Sequence, residues 1–387
     1  MARGMLSGLN YDIYKWNITG FPMAQETVSS KNQGHAIPAA ESGQPTFSSG
    51  LPTVVLMEDY LDQARTMPCV QELAHQSNLR IYTEKARSEG ELLERLEGAQ
   101  AVITIRDRVM FGPTVFARMK GVQLLSVCGP RLQPHVDLDA ATQAGVLVCC
   151  SPANSQTKEP HHATAELTWA LILGLAKNVV HNQTALQTGK WQTTPGIGLV
   201  GKTLGIVGCT GKVGSMVTRI GLAMGMRVIA WSPRLTPERA AEHGVEAVSF
   251  EELLSASDIL SLHANATAES RSMLSTNEFQ KLKRSAMLVN TARAALVDEP
   301  ALRQALDNGD IAAAGLDVFW EEPLPADHWV RRHEKVLLQP HMGAFTPEGY
   351  EWIVAPGVEA VLSWLAGKPP VFANPGARSS DEAFHES

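Results

Sequence analysis

Short apolar runs rich in β-branched residues alternate with helical stretches along most of the chain, and this alternation limits the possible folds more than any other feature. The pattern is typical of βαβ units, in which consecutive strands lie parallel in one sheet. It predicts two series of strands on either side of a long helix, Thr164–Val180, with further helices at Gln63–Gln76 and Pro347–Ala366. The predicted strands are Thr53–Met57, Leu79–Tyr82, Ala101–Ile105, Leu124–Val127 and Gly145–Cys149, then Thr203–Val207, Arg227–Trp231, Ile259–Leu262, Ala286–Asn290, Ala313–Leu316 and Lys335–Leu338. The sequence therefore predicts an α/β protein with parallel sheets.

Composition and charge exclude several classes of protein. The net charge of −7 disfavours a nucleic-acid partner, which needs a basic face. The apolar run Trp169–Ala176 is much shorter than the roughly 20 residues of a membrane span. His162 and Glu166 share one helix face without a third ligand, so no metal site is predicted. An odd number of cysteines without CxxC spacing indicates a reducing compartment, and we predict a cytoplasmic location; the cysteines are Cys69, Cys128, Cys149, Cys150 and Cys209.

The two ends of the chain differ from its middle. Residues 1–50 are rich in Gly, Ser, Pro, Asn and Gln and have no sustained apolar period. Such a segment buries too little apolar surface to fold, so we predict a disordered extension. Residues 376–387 are predicted to form a tail.

A glycine-rich turn joins one predicted strand to a helix. The segment Lys202–Gly214 reads KTLGIVGCTGKVG, and the helix Val213–Ala223 begins at its end. Such a turn places backbone N–H groups and a helix N-terminus against a pyrophosphate, and a Cβ would block the close approach. The spacing is GxxGxxG, one residue longer than the usual GxGxxG. We predict a dinucleotide site at Gly208, Thr210, Gly211, Lys212, Val213 and Gly214.

The end of the next predicted strand bears on the choice of nicotinamide cofactor. An Asp or Glu about 20 residues after the turn would hold the ribose 2′-hydroxyl of NAD. Ser232 occupies that place here, and Arg234 follows it. A hydroxyl and a cation suit a 2′-phosphate, so the sequence favours NADP over NAD while leaving both open.

Charged residues follow three predicted strands of the second series. The segments are Asn290–Asp298 (NTARAALVD), Leu316–Pro323 (LDVFWEEP) and Leu337–His341 (LLQPH). The carboxyl ends of parallel strands meet at the edge of the sheet where ligands bind. An Arg, a carboxylate and a His at that edge predict a site for anion binding and proton transfer.

From about Leu51 to Pro375 the chain resembles the D-isomer-specific 2-hydroxyacid dehydrogenase family. Single matches are modest, but five in order are specific. The matching segments are GIVGCTGKVG, LSLHANAT, VNTARAALVDEPAL, AGLDVFWEEPLP and LLQPHMGAFT. The segment AELTWALILGLAKN also resembles the long helix between the two lobes of this family.

The resemblance implies roles for particular residues. The catalytic Arg of the family falls on Arg293, its carboxylate on Glu322 and its His on His341. Arg293 would bind the substrate carboxylate and polarise the carbonyl, His341 would transfer the proton, and Glu322 would orient the imidazole and favour its protonated form.

Four further positions follow from the resemblance with less specificity. Asp317 matches a residue near the nicotinamide carboxamide, although a structural Asp fits equally well. His263 and Thr291 complete the expected cofactor-binding set, and His263 is interpreted as a structural histidine at a strand end rather than a catalyst. Arg106, in TIRDR, is a candidate second anion contact or a solvated loop residue.

The segment LSVCGPRLQPHVD resembles the substrate loop of the family and would place Cys128 and Gly129 nearest the substrate carboxylate.

Three departures from the family pattern bear on activity. The glycine turn has its extra residue, and the loop Gly129–Asp137 is one residue longer than usual. Ala294 stands where the family usually has Gly, which would cost roughly 1 kcal/mol if that position needs a positive φ.

The resemblance implies two Rossmann-like or flavodoxin-like lobes with the dinucleotide lobe inserted into the substrate lobe. Residues 51–152 and 342–375 would form the substrate lobe, residues 153–341 would form the dinucleotide lobe, and the protein would be a homodimer through that second lobe. The implied activity is NAD(P)-dependent interconversion of a small 2-oxo acid and a D-2-hydroxy acid. A non-catalytic NAD(P)-sensing corepressor is the alternative, and Glu322 in place of a Gln argues against formate oxidation.

Overall fold

A computed structural model describes residues 50–129, 132, 135–150, 161–368 and 370–377. These residues form two sheets, one of five strands and one of seven. Neighbouring strands of both sheets pair in parallel, and helices cover the sheets. The predicted fold class, α/β with two Rossmann-like lobes, is confirmed. The predicted extension and tail lie outside the described residues except for Gly50, Gly376 and Ala377.

The first sheet has the strand order 2-1-3-4-5 of flavodoxin-like folds. Its strands are β1 (Thr53–Met57), β2 (Asn78–Ile81), β3 (Ala101–Ile105), β4 (Leu124–Cys128) and β5 (Leu147–Cys150). Its helices are α1 (Pro68–Gln76), α2 (Glu89–Leu96), α3 (Pro113–Phe116) and α4 (Leu138–Gln143). Strands β3 and β4 are buried throughout, because helices cover both faces of the sheet.

The predicted helix Gln63–Gln76 is wrong at its start. A separate 3₁₀ turn, Ala64–Thr66, comes first, and α1 begins at Pro68. Proline suits the first helical position and disfavours helix in the residue before it, so it divides the segment. Helices α3 and α4 were not predicted, because their four and six residues are too few to show a helical period.

The predicted helix Thr164–Val180 is two helices, α5 (His161–Ala176) and α6 (Val179–Gln187). Asn178 between them has a left-handed backbone with φ of 53°. Its side-chain amide donates a hydrogen bond to the carbonyl of Pro195 at 2.9 Å, which holds the break. Asparagine tolerates this conformation better than most residues, and the helical period continues across the break, so the pattern alone did not show it.

The second sheet has the order 12-11-10-9-6-7-8, which is the dinucleotide-binding order with one further strand. Its strands are β6 (Thr203–Val207), β7 (Arg227–Trp231), β8 (Glu246–Ala247), β9 (Ile259–Leu262), β10 (Met287–Asn290), β11 (Ala313–Leu316) and β12 (Val336–Leu338). Its helices are α7 (Lys212–Ala223), α8 (Pro237–Ala241), α9 (Phe250–Ala256), α10 (Thr276–Lys281) and α11 (Glu299–Asn308).

Helix α5 packs on the second sheet. The Trp169 indole N–H donates to the carbonyl of Val217 in α7 at 3.2 Å. A Cβ at Gly315 of β11 would lie 3.2 Å from Leu171, so glycine allows the helix to approach the strand closely. Within the described ranges, no single helix is long and apolar enough to cross a membrane, and α5 and α6 meet the requirement only as a pair bent by 58°.

The last helix, α12 (Pro347–Leu365), returns to the first sheet. The Ser126 hydroxyl of β4 donates to the carbonyl of Gly357 at 2.8 Å, and the Tyr350 hydroxyl donates to the buried Asp59 carboxylate after β1. Trp364 is fully buried in the same core. The second sheet therefore lies, in chain order, between the last strand and the last helix of the first. The exact lobe boundaries stay a prediction, and residues 151–160 at one of them are outside the described ranges.

Candidate active site

The glycine turn has the backbone geometry of a dinucleotide site. Gly208 has φ of 92°, and a Cβ there would lie 2.8 Å from the carbonyl oxygen of His263. A Cβ at Gly214 would lie 2.1 Å from the carbonyl oxygen of Gly208. Gly211 is the N-cap of α7 and provides no side-chain cap to the first N–H groups of that helix. The turn thus presents bare backbone and a helix N-terminus, which fits a pyrophosphate.

The additional residue of the turn is accommodated in the core. Cys209 is buried and belongs to the hydrophobic cluster that contains Trp169 and Val217. Burial raises the pKa of its thiol. Thr210 is half-buried and Lys212 is exposed at the start of α7. The insertion therefore extends the turn without opening the interior of the lobe.

Ser232 and Arg234 lie directly after β7, at the edge of the sheet that carries the turn. Ser232 is half-buried and Arg234 is exposed. The N–H of Gly208 donates to the carbonyl of Trp231 at 3.0 Å, so the glycine turn and the end of β7 are adjacent. This is the arrangement expected for a pyrophosphate and a ribose on neighbouring strands.

Two more of the predicted cofactor residues line the same edge. A hydrogen bond of 2.8 Å joins His263 Nε2 and the Ser261 hydroxyl, and burial lowers the pKa of His263 to about 4, so the imidazole is neutral at pH 7. The His263 N–H donates to the carbonyl of Val207 at 2.8 Å. The Thr291 hydroxyl is hydrogen-bonded to that of Thr168 in α5 at 2.8 Å. These contacts agree with the structural interpretation of His263.

His341 and Glu322 form a hydrogen-bonded pair across two loops. His341 Nδ1 lies 2.6 Å from Glu322 Oε2, and both side chains are about one-third exposed. Glu322 Oε1 accepts the N–H of Phe319 at 2.9 Å, which holds the carboxylate. His341 itself has φ of 57°. A carboxylate in this position fixes the orientation of the ring.

Asp317 holds the loop that carries His341. Its carboxylate is almost fully buried and accepts the N–H groups of Met342 at 2.7 Å and Gly343 at 2.9 Å. The Thr164 hydroxyl of α5 donates to the carbonyl of Gly343 at 2.9 Å. The structure thus shows a structural role for Asp317, which was one of the two roles that the sequence allowed. The other role, a contact with the nicotinamide, stays a prediction.

Arg293 follows β10 at the same edge. Its guanidinium donates to the carbonyl of Ala292 at 2.6 Å, and its own carbonyl accepts the Asn290 amide at 3.0 Å. Ala294 begins a 3₁₀ helix, Ala294–Leu296, and does not have a positive φ. The strain considered for alanine at this position therefore does not arise.

The first lobe contributes the loops after β3 and β4. Arg106 has φ of 56°, and its N–H donates to the carbonyl of Cys128 at 3.0 Å. Gly129 has φ of 140°, and a Cβ there would lie 3.8 Å from Arg106 Cγ. The Cys128 side chain is buried against Val354 and Gly357 of α12, so only its backbone can face a substrate. Burial raises the pKa of that thiol.

Asp107 of the first lobe lies near charged residues of the second lobe. The sequence analysis did not identify it as a site residue. Burial opposes ionisation, but a hydrogen bond from its own N–H and the nearby charges of Arg293, Arg106 and His341 lower the pKa of Asp107. The loop after β3 therefore faces the Arg293 and His341 segments of the second lobe. Asp107 comes two residues after the end of β3 and next to Arg106. This position at the carboxyl end of a strand could have identified Asp107 from the sequence.

No group of three or more His, Cys, Asp or Glu side chains that could hold a metal ion occurs among the described residues. The His161 side chain and part of the loop Gly129–Asp137 are outside them. The pairing of His341 with Glu322 and the clustering of Arg106, Asp107 and Arg293 therefore define the charged part of the candidate site. Proton transfer to a bound anion is the chemistry that these groups can perform.

A family model and several known proteins are similar in sequence to this chain. Residues 169–343 match the model of the D-isomer specific 2-hydroxyacid dehydrogenase, NAD binding domain. The chain is 40% identical to glyoxylate reductase of Aeropyrum pernix over 245 residues, which are 61% of this chain and 71% of that protein. It is 36% identical to D-3-phosphoglycerate dehydrogenase of Bacillus subtilis over 283 residues, covering 72% and 52% of the two chains.

Solved structures agree with these relatives. Phosphoglycerate oxidoreductase of Vibrio cholerae superposes with a TM-score of 0.75 at 27% identity, covering 82% of this chain and all of the other. Some curated relatives are considerably longer, since the chain spans 37% and 46% of two Arabidopsis thaliana D-3-phosphoglycerate dehydrogenases. The chain therefore spans about half or less of the length of those proteins.

The buried Asp317 predicts a pH-dependent stability. Burial raises the pKa of Asp317 from 3.8 to about 6. As the pH rises, the unfolded chain loses this proton first, so ionisation destabilises the folded state between about pH 4 and pH 6. We expect the free energy of unfolding of wild type, relative to Asp317→Asn, to fall by about 2 kcal/mol between pH 4 and pH 7.

Urea unfolding at a series of pH values measures this difference. Asp327→Asn, at an exposed aspartate, is the matched control for loss of a carboxylate. A difference between wild type and Asp317→Asn that stays constant or rises with pH would contradict the prediction.

Proposed function

The chain belongs to the D-isomer-specific 2-hydroxyacid dehydrogenase family, and from this premise we propose that it interconverts a small 2-oxo acid and its D-2-hydroxy acid with a nicotinamide cofactor. The observation that carries the proposal is the His341–Glu322 pair, 2.6 Å apart at the edge of a dinucleotide-binding sheet. An imidazole held by a carboxylate at that edge supports proton transfer to a developing alkoxide.

The nicotinamide cofactor would lie along the glycine turn. Gly208 and Gly214 keep the turn closely packed against its own backbone, the missing Cβ of Gly211 would leave room for the pyrophosphate, and the N-terminus of α7 would face that group. When bound, the nicotinamide ring supplies or accepts the hydride. Ser232 and Arg234 would face the adenosine ribose. We therefore propose NADP as the preferred cofactor.

Three residues of this chain would carry the chemistry at the substrate. Arg293 would bind the carboxylate and polarise the neighbouring carbonyl. His341 would donate its proton to the oxygen as the alcohol forms and take it back in the reverse direction. Glu322 would hold the ring through Nδ1 so that Nε2 faces the substrate.

The charges around the cleft favour a small monoanionic substrate. Arg106 and Arg293 supply two positive charges, and the lowered pKa of Asp107 keeps one negative charge beside them. A substrate with one carboxylate would bring these three groups to neutrality, whereas a second anionic group near Asp107 would be repelled by its charge. Backbone groups of Cys128 and Gly129 would complete the carboxylate site.

Substitution of the proposed acid–base residues gives a direct test. We expect Arg293→Ala, Glu322→Gln and His341→Ala to lower kcat/KM by about 10²- to 10⁴-fold while cofactor affinity changes little, because each group acts at the substrate. The assay is a panel of 2-oxo acids with NADH and with NADPH. His75→Ala, at an exposed histidine of α1, is the matched control.

Two results would overturn the proposed function. Full activity of His341→Ala would exclude the acid–base assignment. Tight cofactor binding by wild type without turnover of any 2-oxo acid would favour the dinucleotide sensor instead.

Arg234 predicts the cofactor preference. Arg234→Ala should raise KM for NADPH by about 10-fold and leave KM for NADH nearly unchanged, because the guanidinium would contact only the 2′-phosphate. Steady-state kinetics with both cofactors measure the effect, and Arg219→Ala, at an exposed position of α7, is the control. Equal changes with the two cofactors would contradict the preference for NADP.

An exposed apolar surface supports a homodimer through the second lobe. It lies on α6 and the segment that follows, and Trp191 and Val200 are 77% and 81% exposed. Such a surface on one lobe is typical of an interface. Its other members are Val179, Val180, Leu186 and Ile197.

The homodimer is tested by a charge placed in this surface. Wild type should have twice the 41.8 kDa chain mass by multi-angle light scattering, and Trp191→Asp should shift it toward the monomer because burial of the new carboxylate is costly. Val371→Asp, at an exposed residue of the first lobe, should leave the mass unchanged. A monomeric wild type would refute the dimer.

The cysteines support a reducing compartment. All five are free, and Cys128, Cys149 and Cys209 are buried. Burial raises the pKa of Cys149 to about 11, which keeps its thiol protonated and unreactive. We therefore propose a cytoplasmic location.

A further inference from the structure

Lys85 of the first lobe makes a direct contact with the acid–base loop of the second. Its ammonium donates a hydrogen bond to the main-chain carbonyl of Glu322 at 2.8 Å. The side chain of the same Glu322 accepts the N–H of Phe319 and pairs with His341. One lobe therefore holds the backbone of the residue that orients the imidazole on the other.

The segment that carries Lys85 is itself anchored. The Arg95 guanidinium of α2 donates to the carbonyl of Glu84 at 2.6 Å and forms an ion pair with Glu91 at 2.6 Å. The same guanidinium lies over the Tyr82 ring, 4.8 Å from its centroid. Lys85 thus extends from a fixed support, so its contact with Glu322 constrains that residue.

Glu58 and Tyr60, after β1, and Arg108, after β3, form a cluster in the first lobe, and the charge of Lys85 acts on it. Glu58 is buried, accepts a hydrogen bond from the Tyr60 hydroxyl and, through its carbonyl, one from Arg108. The Arg108 guanidinium lies 4.4 Å from the Tyr60 ring centroid. Burial raises the pKa of Glu58, and the charges of Lys85 and Arg108 act against that rise.

We propose that Lys85 is a positioning residue, which fixes the main chain of Glu322 across the cleft so that the His341–Glu322 pair reaches its productive geometry when the lobes are in contact. The proposal rests on the proposed function for its kinetic consequence. It couples proton transfer to contact between the lobes, because the hydrogen bond from Lys85 forms only when they meet. Displacement of a catalytic group by about 1 Å can lower a rate by up to 10²-fold, which makes such a contact effective.

Lys85→Met and Lys85→Arg test this role by kinetics. Lys85→Met removes the donor, so kcat for a 2-oxo acid should fall by about 10-fold while KM changes less than 2-fold. The solvent deuterium isotope effect on kcat should increase, because proton donation becomes slower relative to the other steps. Lys85→Arg retains a cationic donor and should recover most of kcat, and Lys120→Met, at an exposed lysine of the same lobe, should match wild type.

Hydrogen exchange gives a second readout that does not need turnover. Amide exchange over residues 317–324 should become faster in Lys85→Met and return toward the wild-type rate in Lys85→Arg, because the Phe319 N–H is held by the Glu322 carboxylate. Lys85 is exposed, so neither variant should lower the melting temperature by more than a few degrees.

The outcomes separate the positioning role from the proposed function. Wild-type kcat and wild-type exchange in Lys85→Met would overturn the positioning role while leaving the dehydrogenase assignment in place. A fall in kcat that Lys85→Arg does not recover would also overturn it. If wild type reduces no 2-oxo acid, the proposed function fails, and the exchange rates alone then support or overturn the Lys85 contact.

Discussion

The buried Asp317 carboxylate, with the two N–H groups it accepts, is the interaction on which the candidate site depends. After β12 the chain must leave the second sheet and return to the first through α12, and His341 lies in that turn with a left-handed backbone. A non-glycine residue holds this conformation only where its surroundings stabilise it. The bonds to Met342 and Gly343 provide that stabilisation at the position where the imidazole meets Glu322. The segment that crosses from the second lobe to the first is therefore also the segment that positions His341, the proposed proton donor.

Burial explains which elements could be predicted from sequence. Strands such as Ala101–Ile105 and Thr203–Val207 agree residue for residue, because both faces are covered and the sequence is continuously apolar. The break at Asn178 was not predicted, since it depends on a hydrogen bond to the distant Pro195. Strand β8, Glu246–Ala247, is too short to give any pattern.

Some residues of the candidate site could be predicted from the sequence and others could not. Arg293, Glu322 and His341 follow strands of one sheet, so sequence order and strand ends were enough to predict that they meet at its edge. Asp107 and Lys85 lie in loops of the first lobe. Which loops face each other across the cleft depends on packing between the lobes rather than on any local pattern. The structural role of Asp317 was likewise hidden, because its partners are main-chain amides that every residue possesses.

The departures from the family pattern bear on the choice between an enzyme and a sensor. Ala294 would weaken an enzyme if its position required a positive φ, but it begins a 3₁₀ helix and has none. The extra residue of the glycine turn places Cys209 in the hydrophobic core, while Gly208 and Gly214 keep the turn closely packed against the backbone of His263 and of the turn itself. Neither departure disturbs the His341–Glu322 hydrogen bond or the carboxylate that holds its loop. At these two positions the backbone therefore keeps the local geometry that the proposed dehydrogenase requires, and the choice between an enzyme and a sensor rests on the assay of turnover.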